Sequence, residues 1–318
     1  MHVILTGATG FIGSAFLGAA QQRSMKIRAV FRCNEQARRF GDAKNPALVV
    51  PSIEADTDWS EALVGVDVVV HCAARVHVMH DASSDPLAEF YKVNVAGTLN
   101  LARQAALAGA KRFVFLSSIK VNGEKTQSGG PYSAHDVPAP EDAYGISKAE
   151  AEAGLRLLSL ETGMEVVIIR PPLVYGPGVK GNFSSLMNWV SRGLPLPFGS
   201  ATTNRRSFVG LDNLVDLILT CVDHPEAANQ TLLVSDGEDL STADLLRRIG
   251  KSLNRPARLI PVPVNILIIA SRLLGKSSIA QRLLGSLQID ISNTCTLLNW
   301  KPPVSVDEGL RRAVQQRL

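Results

Sequence analysis

The chain has 318 residues, of which 46% are hydrophobic and 19% charged, and its formal net charge is +4. This balance is typical of a globular protein built as one large α/β unit or as two closely packed lobes. The small positive charge is spread over scattered arginine pairs with few aromatic residues, which argues against a nucleic-acid-binding surface.

The first feature along the chain is a glycine turn within LTGATGFIGSAF at residues 5–16. It follows the apolar run 3–5, and apolar residues at helical spacing begin directly after it. Glycine permits positive φ and lets a phosphate approach the backbone, and a helix N-terminus favours an anion. Gly7, Gly10 and Gly13 therefore predict a site for the pyrophosphate of a dinucleotide. A tight strand-to-helix turn of an ordinary α/β protein is the alternative.

Apolar strand-like runs alternate with helical patterns through the first half of the chain. The predicted strands are 3–5, 27–31, 48–53, 66–71, 113–117 and 166–170. The predicted helices lie near 11–22, 34–40, 59–63, 87–108 and 144–161. This alternation predicts the fold class α/β, with a doubly wound parallel sheet of the Rossmann type.

The alternation stops near residue 177, where helical segments and proline-rich connections take over. These helices are predicted near 182–192, 211–223, 241–252, 264–284 and 305–317. We expect a dinucleotide-binding domain over 1–176, to which residues near 207–236 return. A smaller, mainly helical substrate-binding lobe should comprise 177–206 and 237–318. That lobe should cover the carboxyl ends of the strands, where ligands bind in open α/β sheets.

Two features bear on the compartment in which the protein works. The most apolar stretch, LIPVPVNILIIASRLL at 259–274, contains prolines and Arg272 and is too short to cross a bilayer. We expect it to form a buried helix of the second lobe, with contact to a membrane surface as the lesser alternative. The four cysteines form no C-x-x-C motif and follow no signal peptide, so we expect reduced thiols and a cytoplasmic location.

Tyr144 and Lys148 lie four residues apart at the start of a predicted helix, so their side chains share one helical face. A neighbouring cation favours the ionised form of a phenol, whose ordinary pKa is about 10, and such a pair can move a proton near neutral pH. The spacing alone also occurs on solvated helix faces. However, Ser117 and Ser118 end a predicted strand at the edge where this fold binds ligands, and a long loop joins them to Tyr144.

Several motifs in order resemble the extended short-chain dehydrogenases/reductases, the group of nucleotide-sugar epimerases, dehydratases and reductases. They are the three glycines, HCAA at 71–74, VNVAGT at 93–98, Ser118, Tyr144 with Lys148, and RPPLVYGPG at 170–178. The likeness continues to LLNWKPPVSVDEGL at 297–310 and covers nearly the whole chain. A series of independent motifs in order is far more specific than any one of them.

The resemblance implies roles for the residues that match these motifs. Tyr144 would protonate the sugar oxygen as a ketone is reduced, or remove its proton in the reverse direction. Lys148 would lower the pKa of Tyr144 and hold the nicotinamide ribose. Ser118 would bond the reacting oxygen, with Ser117 as the less favoured candidate. Asn94 matches an asparagine that supports the lysine, and a polar residue satisfied within a helix is its alternative.

The same resemblance implies a dinucleotide cofactor, with NADP(H) favoured and NAD(H) as the second choice. The second strand ends at Arg32, near the position where NAD-preferring relatives have an acidic residue for the ribose 2′-hydroxyl. An arginine there suits a 2′-phosphate, with Arg38 or Arg39 assisting, whereas an exposed arginine at a strand end is the alternative. The implied cofactor-binding residues are Gly7, Thr9, Gly10, Phe11, Ile12, Gly13, Arg32, Asp56, Ala73, Ala74, Asn94, Tyr144, Lys148 and Pro171.

The second lobe resembles a binding site for a nucleotide-diphosphate sugar. Arg206 would hold the diphosphate because a guanidinium can bond phosphate oxygens through two N–H groups, and Arg282 is a second candidate. An exposed basic pair of Arg205 and Arg206 is the alternative. The implied substrate-binding residues are Ser117, Ser118, Tyr144, Asn182, Phe183, Pro197, Phe198, Arg206 and Arg282.

Departures from the group's motifs narrow the choice of reaction. Ile119 and Lys120 stand where sugar 4,6-dehydratases have Asp and Glu, so dehydration lacks chemical support. Leu173 stands where many relatives have a substrate-binding Asn, which suggests a less polar pocket, as for a 6-deoxy sugar. Asn122 replaces a Tyr without an evident reason. The motifs most resemble reductases of UDP-4-keto-6-deoxy-N-acetylhexosamines, which make UDP-N-acetylquinovosamine or its C4 epimer for bacterial O-antigen.

Three functions are open at this stage. The favoured one is an NADPH-dependent 4-keto reductase of a UDP-6-deoxy-N-acetyl sugar. The second is a UDP-hexose 4-epimerase, which uses the same residues and keeps its NAD bound, and the third is a dinucleotide-sensing protein without catalysis. Relatives suggest a homodimer through helices near 94–108 and 144–160. No metal is expected, because His77 and His80 with Asp81 are weak evidence for a metal site and this chemistry needs none.

Overall fold

The structure, a computed structural model, describes residues 1–40, 47–76, 85–126 and 130–315, without the side chains of 39 and 40. It contains nine named strands within these ranges. They are β1 (His2–Thr6), β2 (Lys26–Phe31), β3 (Ala47–Val49), β4 (Val68–His71), β5 (Arg112–Leu116), β6 (Glu165–Arg170), β7 (Leu173–Tyr175), β8 (Phe208–Gly210) and β9 (Thr231–Leu233).

Thirteen α-helices occur in the same described ranges, together with a π-helical segment at Tyr91–Gly97. The helices are α1 (Phe11–Gln22), α2 (Asn34–Phe40), α3 (Ser60–Leu63), α4 (Pro86–Phe90), α5 (Thr98–Leu107), α6 (Ala143–Thr162), α7 (Gly181–Ser191), α8 (Leu211–Asp223), α9 (Thr242–Ser252), α10 (Val264–Leu273), α11 (Ser277–Leu284), α12 (Ser292–Leu297) and α13 (Val306–Gln315). None of the helices in the described part of the chain has the length and apolar character needed to cross a membrane.

Seven parallel strands form the central sheet in the spatial order β3-β2-β1-β4-β5-β6-β9. The order reverses between β1 and β4, which is the place where a doubly wound sheet opens a crevice at its carboxyl edge. The predicted fold class is therefore confirmed. The strands are apolar on both faces because each face of a parallel sheet is covered by helices.

Alternate residues of one strand enter two different core layers, as the two-residue period of a strand requires. Val3 and Leu5 of β1 pack in the layer that contains Phe16 of α1 and Leu217 of α8. Ile4 points to the opposite layer, which contains residues of α5 and α6. The segment after residue 207 thus returns to the sheet through α8 and β9, while β7 and β8 pair as a separate two-stranded parallel sheet.

We name the smaller, mainly helical lobe the substrate-side lobe. It has its own core, formed mainly by α7, α9 and α13. Phe183, Leu246 and Leu310 are completely buried there. The ring of Tyr175 stacks on Phe183 with 5.2 Å between centroids, and its hydroxyl donates a 2.7 Å hydrogen bond to Asp236. This core holds the lobe against the carboxyl edge of the sheet.

One expectation about the lobe is wrong. The stretch 264–284 forms two helices rather than one, because Gly275 takes a positive φ of +66° and ends α10. No residue of α10 is buried, although Val264, Leu267 and Ile268 are half-buried. The apolar composition predicted a buried helix, but within the described chain no element covers the outer face of α10.

Candidate active site

The turn between β1 and α1 is built to bring a ligand close to the backbone. Gly7 has a φ of +73°, and a Cβ there would lie 2.7 Å from the backbone nitrogen of Ala73. A Cβ on Gly13 would lie 2.1 Å from the carbonyl oxygen of Gly7, so only glycine lets α1 begin this close to the turn. Gly10 caps α1 without any side-chain hydrogen bond, which leaves the helix N-terminus to an anion. This cradle fits the pyrophosphate of a dinucleotide.

A buried hydrogen-bond chain fixes the segment that faces this turn. The Thr6 hydroxyl lies 2.7 Å from His71 Nδ1, and His71 Nε2 lies 3.0 Å from the Thr98 hydroxyl. The Thr6 oxygen also accepts a 3.4 Å hydrogen bond from the Ala73 backbone nitrogen. Burial, and secondarily the charge of Lys148, lower the pKa of His71 to about 3. His71 is therefore a neutral structural residue that holds the HCAA segment beside the glycine turn.

The other predicted cofactor-binding residues surround the same edge of the sheet. Arg32 is exposed directly after β2, and Asp56 is exposed in the turn that precedes α3. Pro171 is buried directly after β6. The remaining residues of this set follow β1 or β4, and they are Thr9, Phe11, Ile12, Ala73 and Ala74.

Asn94 lies in the π-helical segment, a distortion that is frequent at functional sites. Its amide is buried and donates to the Ser147 hydroxyl at 3.0 Å and to the Arg75 carbonyl at 3.0 Å. Its oxygen accepts a 2.8 Å hydrogen bond from the Arg75 backbone nitrogen. Asn94 thus ties Ser147, the residue beside Lys148, to the segment that follows β4, and these bonds do not include the lysine itself.

Ser118 follows β5, and the turn at residues 119–121 packs against α6, which carries Tyr144. Asp142 caps α6, since its Oδ1 accepts a 2.7 Å hydrogen bond from the Gly145 backbone nitrogen, and this places Tyr144 in the first turn. Lys148 follows one turn later and donates a 2.8 Å hydrogen bond to the carbonyl of Leu116. Its ammonium nitrogen lies 6.0 Å from the centroid of the Tyr144 ring.

Burial dominates the titration of the tyrosine and the lysine. It lowers the pKa of Lys148 to about 8, a shift that the charges of Cys72 and Glu152 partly oppose. Burial and then the charge of Asp142 raise the pKa of Tyr144 above its ordinary value. Lys148 is not among the causes of this shift, and the expectation that it lowers the pKa of Tyr144 stays a prediction. Tyr144 therefore holds its proton near neutral pH.

A cavity of about 360 Å³ lies between the sheet edge and the substrate-side lobe. It is lined by six of the predicted substrate residues, which are Ser118, Tyr144, Asn182, Phe183, Arg206 and Arg282. Leu173 also lines it, together with further apolar side chains from β8, α7, α9 and α11. Both lobes therefore contribute to a single pocket that contains the serine and the tyrosine.

Three predicted substrate residues lie outside this lining. Ser117 is buried and donates a 2.6 Å hydrogen bond to Glu152 Oε1, because successive residues at the end of β5 point to opposite faces of the sheet. Pro197 and Phe198 follow Leu196, which bridges to Leu259, and Phe198 packs on the core of the lobe. These three residues therefore support the architecture around the pocket.

Arg206 and Arg282 form a cationic end of the cavity. Burial and, secondarily, the charge of Arg282 lower the pKa of Arg206 to about 10, while the charge of Glu124 opposes the shift. Arg206 Nη1 donates a 3.2 Å hydrogen bond to the Gly285 carbonyl, and its backbone pairs with Leu240. Two arginines held near each other in a partly dry pocket repel, and an anion with several oxygens would relieve that repulsion.

Sequence reasoning missed a charged group on the pocket wall, which we name the pocket cluster and define as Lys120, Glu124 and Asp142. The Lys120 ammonium donates to Glu124 Oε1 at 2.6 Å and also to Asp142 Oδ2. All three side chains line the cavity and are 20–26% exposed. The four-residue spacing of Lys120 and Glu124 was the available signal, but their meeting with Asp142 depends on how the long loop folds.

A second charged group lies behind the pocket, and we name it the buried cluster: Ser117, Asn122, Glu152 and Arg170, with the exposed Arg156 at its border. Glu152 accepts two hydrogen bonds from Arg170, at 2.9 and 2.6 Å, and one from Arg156 at 2.8 Å. Asn122 accepts a 2.8 Å hydrogen bond from Arg170 and donates one of 2.9 Å to the Ser133 carbonyl. Asn122, which had no explanation in the sequence, therefore joins the long loop to a buried ion pair.

The histidines that raised the question of a metal lie outside the described residues, as do Asp81 and residues 127–129. Arg39 is described only in its backbone, and Arg38 is exposed on α2. Within the described ranges, no three His, Cys, Asp or Glu side chains come together in a way that could hold a metal ion.

Known proteins resemble this chain over its full length. It is 50% identical over 314 residues to the UDP-glucose 4-epimerase of Vibrio cholerae, and the alignment covers 98% of this chain and 94% of that protein. It is 27% identical over 328 residues to the N-acetyl-alpha-D-glucosaminyl-diphospho-ditrans,octacis-undecaprenol 4-epimerase of Escherichia coli O157:H7, with 99% and 94% of the two chains covered.

Solved structures of low identity share the fold. The UDP-glucose 4-epimerase of Thermotoga maritima, solved with UDP-glucose, superposes with a TM-score of 0.78 at 21% identity over 100% of this chain and 98% of that chain. The UDP-glucuronic acid 4-epimerase of Bacillus cereus, solved with NAD, gives 0.79 at 21% identity over 99% and 96%. A family profile described as "NAD dependent epimerase/dehydratase family" matches residues 3–234. The chain belongs to the NAD dependent epimerase/dehydratase family.

Proposed function

We propose that this protein is an NAD-dependent 4-epimerase of a UDP-hexose or UDP-N-acetylhexosamine. One observation carries the proposal: Ser118 and Tyr144 face the same cavity as Arg206 and Arg282. A sugar whose diphosphate is held by the arginines can therefore reach the serine and the tyrosine. The choice of epimerase over reductase rests on the 50% identity to the Vibrio cholerae UDP-glucose 4-epimerase over 98% of the chain. This choice reverses the order of the two functions that the sequence motifs favoured.

The chemistry that NAD supplies when bound is reversible hydride transfer. The glycine turn, Asn94 and Lys148 would hold it. Tyr144 is half-buried, and its raised pKa keeps it protonated near neutral pH, so it gives a proton to the C4 oxygen when a ketone is reduced and accepts one in the reverse direction. The Ser118 oxygen already accepts a 3.2 Å hydrogen bond from the Lys120 backbone nitrogen, which leaves its O–H proton to donate to the same sugar oxygen.

Epimerisation requires the sugar to present both ring faces in one pocket. The cavity wall is largely apolar, with side chains that include Leu173, Phe208 and Leu245. Such a wall makes few directional bonds to a sugar ring, whereas Arg206 and Arg282 offer strong charge-assisted bonds to a diphosphate. An anchored diphosphate with a weakly held ring can turn without leaving the site.

The pocket cluster supplies the polar contacts of the sugar in this proposal. An ammonium has three N–H donors, and among the described residues Lys120 gives two of them to Glu124 and Asp142. The third is left for a sugar oxygen, and the two carboxylates accept from hydroxyls. The cluster carries one positive and two negative charges, so a sugar carboxylate would be repelled. We therefore expect a hexose or an acetamido sugar in preference to a uronic acid.

The test is an assay without any added cofactor. Purified protein is incubated with UDP-glucose, UDP-N-acetylglucosamine or UDP-glucuronic acid, and the products are separated by ion-exchange chromatography. We expect the first or the second to be converted to its C4 epimer and the third to be left unchanged. Tyr144→Phe should abolish turnover while retaining UDP affinity. No epimer from any of the three, despite measurable UDP binding, would reject the proposal.

A second candidate is the NADPH-dependent reduction of a UDP-4-keto-6-deoxy-N-acetylhexosamine. It is favoured by the exposed Arg32 at the end of β2, which suits a 2′-phosphate, and by Leu173 on the pocket wall, which suits a C6 methyl group. In that case NADPH is consumed in equal amount to the 4-keto sugar. Arg32→Ala should then raise KM for NADPH alone and erase most of the preference over NADH.

We also propose a homodimer through α5 and α6. Leu157 and Leu160 of α6 are exposed at 57% and 86%, and Leu107 at the end of α5 is exposed at 88%. Apolar side chains on two neighbouring helices can form a four-helix contact between two copies. Light scattering on the eluted protein should give twice the 34.1 kDa mass of the chain, and a monomer at micromolar concentration would reject the dimer.

A further inference from the structure

The outer face of α10 is apolar and exposed. Ile266, Ile269 and Leu273 are exposed at 55%, 56% and 84%, and their spacing of three and four residues puts them on one side of the helix. Leu274 adds a further exposed side chain at the end of the helix. An amphipathic helix normally turns such a face inward, so α10 presents the face that usually makes a contact.

The exposed apolar residues concentrate in this part of the chain. Six of the eighteen exposed large hydrophobic residues in the described ranges fall between residues 260 and 279. Besides the four already named, they include Ile260 and Ile279. Single exposed apolar residues are ordinary, but a grouped set marks an interaction surface. We name these six residues the α10 face.

The charge of the surrounding segment is one-sided. Residues 245–289 contain eight of the 33 Lys and Arg residues of the chain and none of its 29 Asp and Glu residues. The rest of the chain therefore has more acidic than basic residues. Six of the eight cations are exposed, and they are Arg247, Lys251, Arg255, Arg258, Arg272 and Lys276. The α10 face is thus set in a strongly basic border.

We propose that the α10 face docks on the surface of a bilayer that contains anionic lipids. Apolar side chains surrounded by Lys and Arg are the pattern by which a helix lies in the headgroup region, with the cations held by the lipid phosphates. The same charge argues against a second copy of this chain on the face. A two-fold contact would bring two basic segments together and repel.

The location of the face gives the docking a consequence for the substrate pocket. The face continues from α10 to Ile279 of α11, and Arg282 and Leu283 of α11 line the cavity. A bilayer on the α10 face therefore lies next to the helix that carries one of the two pocket arginines. Within the described chain no helix can span the bilayer, so the association is interfacial and reversible.

The experiment measures binding of the full chain to vesicles, and it does not depend on the proposed activity. Vesicles of phosphatidylethanolamine with phosphatidylglycerol are compared with vesicles of phosphatidylcholine by co-sedimentation. We expect binding to the anionic vesicles, about tenfold weaker binding to the neutral ones, and loss of binding at high salt. The double variants Ile269→Ser/Leu273→Ser and Arg272→Glu/Lys276→Glu should each weaken anionic binding by about tenfold or more.

The matched control changes two equally exposed apolar residues elsewhere. Val64 and Val137 are exposed at 67% and 84%, and Val64→Ser/Val137→Ser should bind vesicles as the unchanged protein does. UDP affinity is measured for each variant, and an unchanged value shows that the fold is intact. The proposal is overturned by absence of binding to anionic vesicles or by an equal loss in the control variant. A dimer that dissociates in Ile269→Ser/Leu273→Ser without any vesicle binding would assign the face to a second copy and would also overturn it.

Discussion

Two charged clusters flank the start of α6 and differ mainly in burial. In the buried cluster, the side chains of Glu152 and Arg170 are 0% and 2% exposed and are joined by two hydrogen bonds. In the pocket cluster, the side chains of Lys120 and Asp142 are both 26% exposed and line the cavity. Both groups pair acids with bases, yet only the pocket cluster lines the cavity that contains Ser118 and Tyr144.

The difference shows how burial assigns a task to the same chemistry. A fully buried ion pair has lost its water, so each member depends on its partner, and removal of one leaves a bare charge. A half-buried pair keeps access to water or ligand and can exchange partners at small cost. The buried cluster therefore fixes the loop and the strand ends, while the pocket cluster can bind.

The sharpest test makes one chemical change in both clusters. Glu152→Gln removes the charge that faces Arg170 and Arg156, and we expect a loss of about 3–5 kcal/mol in the free energy of unfolding. Glu124→Gln is the control, because Lys120 keeps Asp142 as a partner, and its loss should be about 1 kcal/mol or less. Urea unfolding of both variants gives the comparison, and equal losses would contradict the account.

Lys148 lies between the clusters on α6, and its titration tests the burial argument. Burial lowers the pKa of Lys148 to about 8 in the folded protein. At pH values between this pKa and the ordinary pKa of lysine, the unfolded chain therefore binds more protons than the folded one. The stability that this group contributes therefore rises with pH. Relative to Lys148→Met, the unchanged protein should gain about 2 kcal/mol in unfolding free energy between about pH 7.5 and 9.5. Parallel pH profiles for the two proteins would contradict this expectation.

Asn122 tests how the buried cluster holds the long loop. Asn122→Ala removes the bonds to Arg170 and to the Ser133 carbonyl, and we expect a loss of about 1–2 kcal/mol in unfolding free energy. Asn122→Asp keeps an acceptor for Arg170 and should lose less. Amide exchange near residue 133 provides a local readout, and unchanged protection in Asn122→Ala would show that the bond does not hold the loop.

The smallest effect on stability is expected from Lys120→Met, which breaks the pocket cluster. The unfolding free energy should change by less than about 1 kcal/mol, while KM for the UDP-sugar rises by about tenfold. UDP alone should bind as before, because the cluster is assigned to the sugar. Arg206→Ala is the contrasting variant and should weaken UDP and UDP-sugar by a similar factor. Weaker UDP binding in Lys120→Met by calorimetry would reject this assignment.

Much of the fold follows from patterns of short range. The central strands are apolar runs and the helices between them have clear periodicity, so the parallel sheet could be predicted. The strands β7, β8 and β9 have three residues each and are too short to give a periodic signal. The exposed α10 could not be predicted either, because composition favours burial but does not supply a covering element.

Some residues of the site could likewise be predicted from the sequence, and others could not. The glycine turn, Ser118 and Tyr144 belong to motifs and could be found in the sequence. Glu150 and Glu152 are two acidic residues on one helix, yet the first is exposed and the second buried. Glu152 lies four residues after Lys148, a spacing that puts both on one face of α6, and sequence reasoning did not use this signal. The pocket cluster depends on the path of the loop before Asp142, which no local pattern encodes.

The central claim is that one pocket removes and restores hydrogen at C4 of a UDP-sugar. The most direct measurement uses UDP-glucose with deuterium at C4 and no added cofactor, followed by NMR of the product. The account predicts UDP-galactose that retains the deuterium at C4, because the hydride leaves and returns within the closed site. Loss of deuterium to the solvent would contradict the account. So would unchanged UDP-glucose from a protein that oxidises NADPH in step with a UDP-4-keto sugar.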